Sequence, residues 1–247
     1  MANWSDPRPT AVPRAATGAR EAAFDAGLRT YMLSVYNYMT SGVLLTGIVA
    51  MLFAQGGVDS PAAQVFMHGG LLRWVVMLAP LGVVMWLSFG IARLSDTGAK
   101  ALFWAYAVLM GLSLSSILLV YTGGSVAQAF FATAAGFAGL SLWGYTTKRD
   151  LSAMGSFLMI GVVGLLVAML INMFVRSGPM DLIISVVGVL LFAGLTAYDT
   201  QRIKSGYFQV RGTAFVAKSA VMGALQLYLD FINMFMFLLR FMGNSRN

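Results

Sequence analysis

Seven apolar stretches, at about 31–54, 72–93, 101–121, 125–146, 152–175, 182–204 and 216–241, occupy most of this chain. Each is long enough for the roughly 20 residues a helix needs to cross a bilayer. In hydrocarbon every backbone N–H and C=O must be satisfied within its segment, so these stretches are predicted to be helices. The expected fold is all-α: an integral membrane bundle of seven transmembrane helices. Composition agrees, with 59% of residues hydrophobic and 10% charged, against about 25% charged in a soluble domain.

Domain organisation follows from the same pattern. Residues 1–28 are polar and rich in Ala, Arg and Pro, without the apolar core of a signal peptide, and are read as a flexible cytosolic tail. Residues 29–243 form the membrane domain, and 244–247 a short C-terminal tail. With the N-terminus inside, 12 Lys and Arg residues fall on the cytosolic side and 4 outside, which is the bias that sets orientation. An odd number of spans then places the C-terminus outside. The net charge of +7 is read as this topology signal, and no nucleic-acid partner is expected. Cysteine is absent and His68 is the only histidine. That removes disulfides, thiol nucleophiles and Cys- or His-based metal sites, and no organic cofactor is expected.

Two acids interrupt the apolar pattern. Asp199 lies in the sixth stretch and Asp230 in the seventh. An acid at the bilayer centre costs roughly 2.5–3.5 kcal/mol on insertion scales, and such residues usually mark an ion or proton path. In the seventh stretch Ser219, Gly223, Gln226, Asp230 and Asn233 recur at steps of three and four, so they share one helical face. In the sixth, Ser185, Gly188, Thr196 and Asp199 form a weaker stripe. If the two stripes meet, the carboxyls share a proton, since two neighbouring carboxylates do not both ionise easily in low dielectric. The same oxygens suit Ca²⁺ better than zinc, so Asp199 and Asp230 are the expected proton sensor and ion site. Gln226, Asn233 and Thr196 are candidates for lining the ion path.

Straight-rod counting opposes this meeting. With the sixth helix ending at Lys204 and the seventh starting at Lys218, the two acids stand on the order of 10 Å apart in height. Arg93, at the inner end of the second stretch, is either a latch on Asp199 or an ordinary positive-inside anchor. Asn172 is more readily interhelical glue than pore lining. Gly161 and Gly164 are expected to allow close helix packing. Gly206–Ala217 reads as a long connection, either a partner surface or an extension of two helices.

Four groups of residues resemble motifs of the Bax inhibitor-1 family, the transmembrane Bax-inhibitor-motif proteins. They are Ala197-Tyr198-Asp199-Thr200-Gln201-Arg202-Ile203-Lys204, Leu227-Tyr228-Leu229-Asp230-Phe231-Ile232-Asn233, Gly144-Tyr145-Thr146-Thr147-Lys148-Arg149-Asp150-Leu151, and Tyr38-Met39-Thr40-Ser41-Gly42 with Leu45-Thr46-Gly47. The resemblance covers residues 28–243 and is strongest to bacterial members. It implies seven helices with the last at the centre and a pH-sensitive Ca²⁺ leak. It also implies a paired-aspartate site at Asp199 and Asp230, and a latch at Arg93. A bacterial inner membrane is the expected location.

The leading expectation is thus a proton-gated calcium leak channel and not an enzyme, with the bilayer, calcium and protons as partners. The alternative is a membrane interaction protein that modulates a membrane-bound AAA-type protease through its N-terminal tail. An aspartyl intramembrane protease is disfavoured because Asp199 lacks a Gly-x-Gly-Asp context.

Overall fold

The computed structural model describes residues 14–244, with side chains from Ala26 onward. Seven long helices make up the bundle: α1 (Arg14–Phe53), α2 (Leu71–Gly90), α3 (Asp96–Val120), α4 (Gly123–Thr146), α5 (Ser152–Val175), α6 (Gly178–Val210) and α7 (Val216–Met242). Each contains a segment long and apolar enough to cross a membrane. Residues 1–13 of the expected tail, and 245–247 at the other end, lie outside the described residues. From Arg14 onward the tail region is helical and runs unbroken into the first span.

The helix starts follow capping chemistry. Ser95 accepts from Gly98 N–H (3.0 Å) and Thr122 from Ser125 N–H (3.3 Å), so each satisfies an otherwise orphaned donor of α3 or α4. Ser177 does the same for α6 through Met180 N–H (3.4 Å). The connection from Phe53 to Leu71 is a run of short helical turns that includes His68 and tucks Ala62 and Ala63 under the bundle.

α7 is the axis. It packs on α6, α1, α4 and α3, and 67% of its most apolar window is buried, against 11% for α5 and 17% for α2. α5 packs mainly on α6, and α2 on α3. The polar stripe of α7 faces α6, while its apolar face, with Leu225, Ile232 and Phe235, is buried too. Thr46 of α1 donates to the Ala107 carbonyl of α3 (2.9 Å), so its single proton is used and Tyr228 of α7 donates to it (2.7 Å). Interhelical bonds of this kind join elements that lipid would not otherwise drive together.

Small residues set some contacts and not others. A Cβ at Gly161 would meet Leu191 Cδ2 at 2.6 Å, so α5 and α6 touch there. Gly164 corrects the expectation made for it: it is exposed, and nothing stands within 4 Å of its would-be Cβ.

α6 and α7 are both longer than their apolar stretches. Charges at Arg202 and Lys204 end the hydropathy signal, yet the helix continues to Val210. Tyr207 in this extension stacks on Tyr31, with ring centroids 5.1 Å apart. The connection that read as long is therefore the extension of two helices, and only residues 211–215 separate them.

Candidate functional site

The extension of α6 removes the height mismatch. Asp199 stands 11 residues before the end of α6, and Asp230 stands 14 residues after the start of α7. At 1.5 Å rise per residue the difference is about 4.5 Å, within reach of side chains. Gly223 lets the helices close: a Cβ there would lie 3.0 Å from Ile203 Cγ2.

Asp199 and Asp230 are both buried, each 4% exposed. The two carboxyls neighbour each other across the α6–α7 contact, and Gln226, one turn from Asp230, stands beside Asp199. Two carboxyls brought together in low dielectric do not both ionise easily. Asp230 Oδ2 is the only buried side-chain oxygen or nitrogen without a hydrogen-bond partner among the described residues. An unpartnered buried acceptor is costly, and in native proteins it calls for an explanation such as a role in function.

The surroundings are ordered by two sets of bonds. Thr200 donates to the Thr196 carbonyl (2.7 Å), so Ser141 of α4 donates to Thr200 (2.9 Å), and Tyr36 of α1 donates to Ser141 (2.6 Å). This directed chain fixes the residue next to Asp199 against two other helices. In addition Gln201 donates to the Arg149 carbonyl (2.8 Å) and accepts from Leu151 N–H (2.9 Å), while Lys204 donates to the Tyr145 carbonyl (2.7 Å). Two of the motifs that carried the family resemblance thereby meet: the sixth-helix motif pins the turn after α4.

The other candidates are placed as follows. Gln226 is at the pair. Thr196 is fully buried and donates to the Phe192 carbonyl of its own helix (2.8 Å). Asn233 donates to Leu229 O (2.8 Å). Arg93 is exposed at the end of α2, and among the described residues no ion pair joins it to Asp199. Arg202, one turn further along α6, is the cation nearest to Asp199 in sequence. Asn172 is glue: it accepts from Ser177 N–H (3.0 Å) and donates to Asp181 (3.3 Å), whose carboxylate also pairs with Arg240 of α7 (3.1 Å).

Tyr36 and Ser141 were not legible as site residues. Tyr36 is one of several hydroxyl residues in its stretch and Ser141 one small residue among apolar ones, and sequence does not reveal which helix such a hydroxyl faces.

Asp199, Asp230 and Gln226 would offer a hard cation at most five side-chain oxygens. Ca²⁺ takes about 6–8 oxygen ligands, and no group of three or more His, Cys, Asp or Glu occurs among the described residues.

Fold and site together define a seven-helix integral membrane protein with two buried acids, Asp199 and Asp230, on its last two helices. The chain belongs to the Bax inhibitor-1 family: the family model described as "Inhibitor of apoptosis-promoting Bax1" matches residues 28–247. It is 43% identical over 223 residues to the inner membrane protein YbhL of Escherichia coli strain K12, covering 90% of this chain and 94% of that one. A Caulobacter vibrioides protein is 45% identical over 230 residues, covering 90% and 91%. The protein RP147 of Rickettsia prowazekii is 43% identical over 231 residues, covering 94% and 96%.

Proposed function

We propose that this protein is a pH-sensitive calcium leak channel of a bacterial inner membrane, gated by the Asp199–Asp230 pair. Its N-terminus and basic loops would lie in the cytosol and its C-terminus outside. The observation that carries the reading is the buried carboxyl contact with its unpartnered Asp230 Oδ2. Family membership and the likeness to YbhL, named as an inner membrane protein, support the location.

The pair acts through repulsion. One proton lets α6 and α7 stay in contact at Asp199 and Asp230. Loss of that proton leaves two negative charges in low dielectric, so the helix contact and the affinity for a cation change together. Arg93 is assigned the latch: unpaired here, it would move onto Asp199 in a second, closed state.

The test is Ca²⁺ influx into dye-loaded liposomes carrying the purified protein, from about pH 6 to 8, a range a buried carboxyl pair can sense. The reading expects a flux that varies with pH. No flux at any pH from folded protein would overturn it and favour the modulator of an AAA-type protease.

A further inference from the structure

A crevice runs along the bundle between α1 and α4. Both helices pack on α7, yet they barely pack on each other, and the bond from Tyr36 to Ser141 bridges the gap. The half nearer the basic end encloses about 640 Å³ and the other half about 420 Å³. The halves share Val43, Leu44, Phe130 and Phe231, so they form one continuous channel open to the side.

Its dimensions and chemistry match one occupant. From Arg29 to Leu44 is 15 steps along α1, or about 22 Å at 1.5 Å per residue. That is one leaflet's half of a roughly 30 Å hydrocarbon core plus part of the headgroup layer. Deep in the crevice the walls are apolar and aromatic, with Phe130, Phe137 and Phe231. At its mouth stands Arg29, the only charged residue lining either half among the described residues. Lys204 adds a second cation there, 2.7 Å from the carbonyl of Tyr145, which also lines the mouth. A half-channel of about one acyl chain's length, apolar inside and with the cations Arg29 and Lys204 at its basic end, is complementary to a lipid phosphate with its chain attached.

We infer that the α1–α4 crevice is a binding site for an anionic phospholipid of the bilayer leaflet on the basic side, its phosphate at Arg29 and Lys204 and an acyl chain against Phe130, Phe137 and Phe231. The occupant would lie next to both acids in sequence: Phe231 follows Asp230, and Ser141 holds Thr200, which follows Asp199.

The test is native mass spectrometry of the detergent-purified protein titrated with phosphatidylglycerol or with zwitterionic phosphatidylcholine. The wild type is expected to retain one phosphatidylglycerol in preference to phosphatidylcholine. Arg29→Gln, at an exposed position, should lower that preference about five-fold, the factor matching ~1 kcal/mol per basic residue at an anionic surface. Arg73→Gln, a cation at the other end of the bundle, should leave it unchanged. Ala134→Phe, which fills the slot, should abolish retention of either lipid, with circular dichroism confirming the helices. Equal retention of both lipids, an undiminished preference in Arg29→Gln, or a lipid-free dimer covering the crevice would overturn the assignment.

Discussion

Gly144 of α4 lies flat on the backbone of Ala197 in α6. A Cβ at position 144 would run into the Ala197 carbonyl oxygen and stand 2.9 Å from its Cα. The obstacle is backbone, which cannot swing aside, and it sits half a turn from Asp199. Gly144→Ala should therefore destabilise the bundle by about 1–3 kcal/mol, the usual range for overpacking. Gly136→Ala, in the same helix with nothing within 4 Å, should be neutral or slightly stabilising through its better helix propensity. Thermal unfolding in detergent compares the two; equal midpoints would contradict the packing.

The shared proton has its own signature. Infrared difference spectra taken across the pH range of the flux should show a protonated-carboxyl band in the wild type. That band should be lost or shifted in both Asp199→Asn and Asp230→Asn, because an amide neighbour no longer competes for the proton. A band unchanged in both variants would mean the carboxyls do not share a proton.

Gln201 is predicted to hold the turn after α4. Gln201→Ala leaves the Leu151 N–H, on a residue 6% exposed, without its partner, a loss of about 1–3 kcal/mol for a buried donor. The turn carries Lys148 and Arg149, so tryptic cleavage there should speed several-fold. Unchanged cleavage would mean that other contacts fix the turn.

Much of this arrangement was legible in the residues. The seven spans were, because hydrocarbon leaves the backbone no alternative. Asp199 and Asp230 were, because acids are rare in such stretches. Their pairing was expected from the two stripes and the resemblance, but the matching height was not, since the charges of Arg202 and Lys204 hid the last turns of α6 and placed Asp199 too near a helix end. The hydroxyl chain through Tyr36, Ser141 and Thr200 was also hidden, because it depends on which helices face one another. Gly161 and Gly164 make the same point: identical residues three apart, only one of them in contact.

Arg93 tests the latch. If it moves onto Asp199 to hold the closed state, Arg93→Gln should raise the Ca²⁺ leak at the pH values where Asp199 is ionised, by about two- to ten-fold for a lost exposed-to-part-buried ion pair of up to ~1.4 kcal/mol. A leak equal to that of the wild type would make Arg93 a topology anchor.

The most direct measurement is the pH profile of Ca²⁺ influx in liposomes for the wild type beside Asp199→Asn, with circular dichroism and size-exclusion profiles matched. The account predicts a wild-type flux that varies between about pH 6 and 8, and a variant whose flux is flat over the same range. A variant that keeps the full pH dependence would contradict it, because the sensor would then lie elsewhere in the bundle.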